Sequence, residues 1–319
     1  MGKITVYFMG TGSAHPNKLR GAPSVVLNTD GELYMFDCGE GTQRQMAIAG
    51  LNIMKLRAIF LTHLHGDHVL GLPGLLNSMD LLNRLNGLTI FGPPGTASFI
   101  DGVNKSLHST LKYALTISTT RNGEVYRGDN FRVLARRSLH SVPSYSYMFV
   151  EDDRPGRFHP EEAIRMSVPK GPLWGELQHG KSVSVGDRVI EPGGIVDSPV
   201  KGLRVGISGD TRPTASLVRF FHGADLLIYE STFSQELSDK AVESFHSTAE
   251  EAGALANAAN VGHLILYHFS ERYRRIDGLV REARRSFKRV SGARDLMSFI
   301  ITNSSEQPDI SISGPAGRT

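Results

Sequence analysis

Ala58-Ile59-Phe60-Leu61-Thr62-His63-Leu64-His65-Gly66-Asp67-His68 is the stretch on which the reading of this chain turns. An apolar, strand-like run passes without interruption into three imidazoles and a carboxylate packed within six positions. On extended backbone the alternate residues His63 and His65 point the same way, toward one ion. Asp67 and His68, beyond Gly66 at the entry to a helix, face a neighbouring position. Imidazole and carboxylate together suit zinc or a similar borderline divalent ion. A single histidine is commonly a surface or cap residue, but this crowding calls for a metal. Downstream, Leu70, Leu72, Leu75, Leu76, Met79 and Leu82 recur at helical spacing, so the passage reads strand, loop, helix.

The same alternation of element types extends outward in both directions. Strand patterns fall at 4–9, 24–28, 33–37, 58–61, 88–91, 114–118, 131–135, 145–150, 203–207, 226–229, 263–266 and 299–302. Helical patterns fall at 42–49, 96–107, 214–222, 247–260 and 275–289, and interleaving of this kind predicts a layered α/β fold. With 319 residues, 40% of them hydrophobic, the chain can bury a large core. Lys plus Arg number 35 against 32 Asp plus Glu, a net +3 that is too even to declare a nucleic-acid binder from composition. Cys38 is the single cysteine, which excludes an internal disulfide framework and any multi-cysteine zinc ribbon or iron–sulfur site. No run reaches the roughly 18 apolar residues of a membrane span, and Met1-Gly2-Lys3-Ile4 enters a strand directly, so a cytoplasmic protein is expected. Residues 151–181 break the pattern: they are polar, rich in Pro and Gly, and read as a structureless insertion carrying the only tryptophan, Trp174. The tail, 311–319, is expected to fray.

Four ligands in one short motif cannot close two ion sites, so distant residues must contribute. His140, Asp210 and His268 each follow an apolar strand, where layered α/β proteins place their chemistry, and as a set they favour a two-metal centre. Such a centre brings a water toward ionisation at neutral pH and makes a hydroxide available as nucleophile. Asp67 would then orient the attacking oxygen as well as bind metal. His246 is the candidate acid for the leaving oxygen. It precedes Ser247-Thr248-Ala249-Glu250, read as a capping box with Ser247 as N-cap and Glu250 three positions on. A helix N-terminus disfavours protonated imidazole, so this role needs a carboxylate partner.

The His-x-His-x-Asp-His element with separate His, Asp and His residues resembles the metallo-β-lactamase superfamily, and within it the ribonuclease Z family. The likeness runs through Gly10-Thr11-Gly12-Ser13, Phe36-Asp37-Cys38-Gly39-Glu40-Gly41-Thr42, Gly71-Leu72-Pro73-Gly74, Gly209-Asp210-Thr211, Tyr229-Glu230-Ser231-Thr232-Phe233 and His246-Ser247-Thr248. It implies a four-layer αββα sandwich of α/β class with a projecting flexible arm: a catalytic domain over 1–150 and 182–310, and an exosite arm at 151–181. It implies a zinc-dependent endoribonuclease that removes the 3′ trailer from precursor tRNA. The cut, after the discriminator base, leaves a 3′-hydroxyl on the tRNA and a 5′-phosphate on the trailer. Carried over by position, two zinc ions per subunit, or other divalent ions such as manganese, are held by His63, His65 and His140 and by Asp67, His68 and His268, with Asp210 bridging. Glu230 matches the partner of His246. Lys18 and Arg20 fall in a loop resembling the family's Pro-x-Lys-x-Arg-Asn element, with Gly21 in place of the asparagine. Gly171 and Pro172 fall in the tRNA-gripping arm. Ser270 and Arg272, just after His268, are placed to touch a phosphate. The family commonly forms a homodimer in which one subunit's arm serves the other's active site.

Two other readings compete. One is a superfamily hydrolase of a small ester, thioester, lactone or cyclic phosphodiester, and the other an RNA-binding protein without catalysis. The arm, His246 with Glu230, and the Lys18/Arg20 loop favour tRNA processing over the first; the presence of every expected ligand disfavours the second. The cationic run from Arg272 to Arg289 reads most plainly as a solvated helix face.

Overall fold

Strand β1 (Lys3–Gly10) sends Ile4, Val6 and Phe8 to one face and Tyr7 and Met9 to the other, and both faces are covered. The computed structural model, which describes residues 3–303 and 308–314, continues through β2 (Ser24–Thr29), β3 (Glu32–Phe36), α1 (Thr42–Ile48), β4 (Leu56–Phe60), α2 (Gly66–Val69), α3 (Leu72–Leu81), β5 (Leu88–Gly92), α4 (Thr96–Ser106) and β6 (Leu115–Thr119). Then come β7 (Gly123–Arg127), β8 (Phe131–Ser138), β9 (Ser144–Glu151), α5 (Pro160–Arg165), α6 (Pro172–Gln178), β10 (Val183–Val185) and β11 (Arg188–Ile190). The chain closes with β12 (Arg204–Ile207), α7 (Ala215–Phe220), β13 (Leu226–Glu230), α8 (Ser238–Glu243), α9 (Ala249–Ala258), β14 (His263–Tyr267), α10 (Asp277–Ser286), β15 (Val290–Gly292), β16 (Ser298–Thr302) and β17 (Asp309–Ser313).

Two sheets result, ordered β17-β16-β1-β2-β3-β4-β5-β6 and β15-β14-β13-β12-β9-β8-β7. Between them lies an aromatic-rich core to which Phe8, Phe36 and Phe60 contribute from one sheet and Tyr147, Phe149 and Tyr267 from the other. The outer face of the first sheet is covered by Met46 of α1, Leu72, Leu75, Leu76 and Met79 of α3, and Ile100 of α4. The outer face of the second is covered by Leu217 of α7, Ala252, Leu255 and Ala256 of α9, and Leu279 and Ala283 of α10. Helix, sheet, sheet, helix is the four-layer sandwich expected. Among the described residues no helix is long and apolar enough to cross a membrane.

Several expectations need correction. The helical spacing after His68 is carried by two helices, α2 and α3, with a break at Gly71. A Cβ there would lie 2.0 Å from the Gly39 carbonyl oxygen, so the break lets the metal-motif loop press against the 37–42 loop. The segment expected to be structureless over 151–181 is folded, and it extends past Lys181. α5, α6 and the β10/β11 hairpin enclose their own core of Ala163, Val168, Leu177, Val183, Ile190 and Ile195. Its two ends are clamped where Arg154 and Val200 exchange backbone hydrogen bonds of 2.9 Å each. Trp174 belongs to this small core: its ring packs 5.1 Å from Phe158 and its Nε1–H donates to the Val168 carbonyl at 3.1 Å. Of the tail expected to fray, 311–313 is paired in β17 against β16, while 315–319 lies outside the described residues. The cationic run is not one helix face either, since α10 begins at Asp277 and leaves Arg272, Arg274 and Arg275 in the preceding loop.

Candidate metal centre

The C-terminal ends of parallel strands open onto one edge of the sandwich, and the chemistry gathers there. His63, His65, Asp67 and His68 follow β4, His140 follows β8, Asp210 follows β12, Glu230 ends β13 and His268 follows β14. Two of the residues at this edge, Asp37 (φ 59°) and His268 (φ 61°), hold left-handed backbone. That conformation costs about 1 kcal/mol or more outside glycine and persists where surrounding contacts over-determine it.

His63, His65, His140 and Asp210 bring one ligand atom each to within 4.8 Å of one another, and Asp67, His68 and His268 do the same. In the first group His63 Nε2 lies 3.0 Å from His65 Nδ1, which lies 3.3 Å from His140 Nε2. In the second, His68 Nε2 and His268 Nε2 are 3.2 Å apart, and Asp67 Oδ2 is 3.6 and 3.7 Å from them. Asp210 faces both: Oδ2 is 3.6 Å from His63 Nε2 and 3.4 Å from His68 Nε2, and Oδ1 is 3.4 Å from His268 Nε2. All seven residues singled out as ligands are thus brought together. Cys38 is buried in the core beside them, with its thiol pushed up by burial, and takes no part.

Hydrogen bonds on the far side of four of the five rings test whether a cation fits. His140 Nδ1–H donates to the Phe245 carbonyl at 3.0 Å, His68 Nδ1–H to Asp37 Oδ2 at 2.7 Å, His63 Nδ1–H to Thr62 Oγ1 at 3.0 Å and His268 Nδ1–H to Thr232 Oγ1 at 2.9 Å. Both threonine hydroxyls are free to accept because each gives its own proton away, Thr62 to Asp37 at 2.8 Å and Thr232 to Glu230 at 2.9 Å. Four Nε2 lone pairs therefore converge on the cluster. Lone pairs facing each other at 3.2 Å need a positive charge between them, so the donor set fits divalent metal. Burial, reinforced by neighbouring His68, drives His63 well below the ordinary imidazole range, and burial also lowers His65 and His140, keeping them neutral as ligands must be. Burial opposes charge on His68 too, but Asp210 and Asp37 outweigh it and lift that ring well above the ordinary value, so that without a cation its Nε2 carries a proton that a bound metal would have to displace.

Asp37, Thr62 and Thr232 are hydrogen-bond partners of the candidate ligands that the sequence reading did not assign. Asp37 takes the Thr62 N–H at 2.7 Å as well as the Thr62 hydroxyl and His68, so one buried carboxylate orients a histidine in each group. Glu230 is its counterpart on the other sheet. It accepts from Thr211 N and Ser247 N through Oε1, from Thr232 N and Oγ1 through Oε2, and from His246 Nδ1–H at 2.9 Å.

His246 stands at the rim, its ring stacked on His268 with centroids 5.4 Å apart. Burial works against its charge, but Glu230 and Asp210 outweigh burial and raise its pKa to about 9. With Nδ1 engaged by Glu230, Nε2 is the ring nitrogen left for the cleft. The capping box that fixes this corner sits one residue later than expected. Thr248 is the N-cap and Glu251 its partner, while the Ser247 hydroxyl is spent on the Thr211 carbonyl at 2.6 Å. Arg212 ties the corner down, donating to the His246 carbonyl and to both carboxylate oxygens of Glu251.

The cleft over the centre holds about 320 Å³ and is lined by Ser13, His15, His65, Asp67, Asp210, Thr232, Phe233, His246, His268, Ser270 and Arg272 among others. Ser270 and Arg272 are therefore at the site, the Arg272 guanidinium lying 5.5 Å over the Phe233 ring. Lys18 is exposed on its loop, whereas Arg20 is only 7% exposed and turned inward over the Phe269 ring at 5.4 Å. Gly171 and Pro172 are not brought to this cleft; they stand exposed at the start of α6 in the arm. A larger cavity of about 830 Å³ lies far from the histidines at the root of the arm, lined by Asp30, Glu32, Asp129, Asp152 and Asp153 among others, a charge that repels phosphate.

Comparison with known proteins places these features in context. Residues 4–154 match the family described as anti-Pycsar protein Apyc1. The ribonuclease Z of Methanothermobacter thermautotrophicus is 45% identical over 306 residues, covering 96% of this chain and 99% of that protein. The ribonuclease Z of Methanosarcina acetivorans is 40% identical over 299 residues, covering 93% and 98%. Among solved structures, human tRNase Z, short form, is 28% identical with a TM-score of 0.68, covering 92% of this chain and 98% of that one.

Proposed function

The chain belongs to the ribonuclease Z family, and from that membership and the geometry of its centre we propose that it is a zinc-dependent endoribonuclease that removes the 3′ trailer of precursor tRNA. The observation that carries this reading is the Glu230–His246 pair, 2.9 Å apart, standing beside two groups of histidine and aspartate whose ligand atoms lie within 4.8 Å of one another in each. His63, His65, His140 and Asp210 would hold one zinc ion, and Asp67, His68 and His268 with Asp210 the other. Once bound they would supply Lewis acidity, lowering the pKa of a water toward neutrality and balancing phosphoryl charge. Asp67, whose Oδ2 is held by the Ala14 N–H at 2.8 Å, orients the attacking water across from the scissile bond. His246 gives its Nε2 proton to the departing 3′-oxygen of the tRNA as the phosphorus–oxygen bond breaks, leaving the phosphate on the trailer. Glu230, accepting from Nδ1–H on the far side of the ring, keeps His246 protonated beforehand, and the rigid corner made by Arg212 and Glu251 keeps the ring aimed.

The arm serves as the exosite, with Gly171 and Pro172 at an exposed helix start and Lys170 beside the Trp174 ring at 5.7 Å. Its absence from the cleft of its own chain supports a homodimer in which each arm grips tRNA for the partner subunit. Leu81, Leu82 and Leu85 at the end of α3, exposed by 79%, 58% and 92%, supply apolar surface for such an association. Lys18 meets the 3′ end of the tRNA, and the enzyme works in the cytoplasm on newly made tRNA. A hydrolase of small esters would leave the separately folded arm without a task. The test is His246→Ala. Zinc content stays at the wild-type level while turnover on precursor tRNA falls by roughly 10²-fold or more. Loss of zinc in step with activity refutes the assignment of His246 as the acid.

A further inference from the structure

Next to the cleft lies a second cavity of about 340 Å³, lined by Leu19, Arg20, Arg274, Arg275, Ile276 and Arg294 among others. The two share a wall. Phe269, adjacent to His268, accepts from Ser13 N at 3.1 Å and donates to the Thr11 carbonyl at 2.9 Å; Ser13 faces the cleft and Thr11 the cavity. On the loop that follows, Arg272 faces the cleft and Arg274 the cavity.

The charges in the cavity do not cancel. Of its carboxylates, Asp277 is taken by Arg275 at 2.9 Å, and Asp295 accepts from Thr11 Oγ1, Gly21 N and Gln45 Nε2 at 2.7, 2.6 and 3.3 Å. Arg274 and Arg294 are exposed, and neither side chain has a hydrogen-bonded carboxylate among the described residues. Arg20 is 7% exposed, and its Nη1 has no hydrogen-bond partner; its Nη2 reaches only the Arg274 carbonyl, at 3.5 Å. Burying a guanidinium nitrogen unpaired is costly, so this pocket is short of an anion.

We infer that the cavity is an anion subsite that takes one backbone phosphate of the RNA strand running past the cut, with Arg20 Nη1, Arg274 and Arg294 as its donors. This rests on the proposed function. A single strand leaving the cleft over Arg272 reaches these guanidiniums next, and a phosphate between them completes the hydrogen bonding of Arg20.

The experiment measures precursor-tRNA binding over a series of salt concentrations for Arg274→Gln/Arg294→Gln against its parent, both carrying His246→Ala so that RNA is bound and not cut. Expected are a Kd weaker by roughly 10-fold at physiological salt and a salt slope shallower by about one. Precursors with a single neutral methylphosphonate, moved stepwise on either side of the cut, locate the contact. At one position the parent loses what the double variant has lost, and the variant loses nothing more. Equal Kd and equal slope for variant and parent, in a protein that binds and cuts precursor tRNA, overturn the subsite alone, as do losses that add at every position. A wild-type protein that neither binds nor cuts precursor tRNA overturns the function and the subsite together.

Discussion

Replacing Glu230 by glutamine removes one charge from a side chain that is 1% exposed and 2.9 Å from His246 Nδ1. In the wild-type protein burial pulls His246 down from 6.5, and Glu230, ahead of Asp210, outweighs it to bring the pKa to about 9. A general acid acts only while protonated, so turnover falls as pH rises through that value. Without the carboxylate, burial is less opposed and the basic limb of the profile moves down, toward or below the 6.5 of an ordinary imidazole. At about pH 8 the protonated fraction then drops from roughly nine-tenths to roughly 3%, a loss of about 30-fold that all but disappears near pH 6. The assay is the single-turnover rate on precursor tRNA from pH 5.5 to about 9.5, with zinc content measured in parallel. Glutamine also cannot accept all five hydrogen bonds that Glu230 takes, which costs stability of order 1–3 kcal/mol and appears in the melting temperature. That cost does not depend on pH in this way. A uniform loss across the profile, with the basic limb unmoved, would refute the argument and leave Glu230 a purely structural carboxylate.

Asp37→Asn keeps the shape and the left-handed backbone, which asparagine tolerates, but places an amide where Thr62 and His68 both need an acceptor. Zinc affinity should fall by roughly 10–100-fold in chelator competition, and unchanged affinity would show that Asp37 does not orient the ligands. Because Arg154 and Val200 are paired, a short glycine linker replacing 155–199 should excise the arm cleanly. Cleavage of precursor tRNA should then fall by at least roughly 100-fold while hydrolysis of bis(p-nitrophenyl) phosphate persists; equal loss of both would argue against an exosite.

The sandwich, and the gathering of the seven candidate ligands at one edge, were legible because these residues come after apolar strands, and the crowded motif after β4 indicates where those strand ends meet. What was not legible came from partners chosen by the fold. Asp37 reaches His68 across 31 positions and Thr232 reaches His268 across 36, distances that carry no periodic signal. One local cue existed: Thr232 is two residues from Glu230, on the same side of extended backbone. The capping box was misplaced by one residue because Ser247/Glu250 and Thr248/Glu251 overlap, and only the engagement of Ser247 with Thr211 and Glu230 decides between them. The arm's helices, six and seven residues long, are too short for a helical period to show, so their Pro and Gly content dominated. Arg20 was read in sequence with Lys18 as part of a substrate-binding loop, and nothing local told that its side chain would turn inward, with its guanidinium over Phe269.

The most direct measurement incubates the purified protein with a precursor tRNA bearing a 3′ trailer, with zinc and with excess chelator, and maps both ends of the products. The account predicts a single chelator-sensitive cut after the discriminator base, leaving a 3′-hydroxyl on the tRNA and a 5′-phosphate on the trailer. A cut that survives the chelator, a product ending in a 3′-phosphate, or no cut at that position would contradict it.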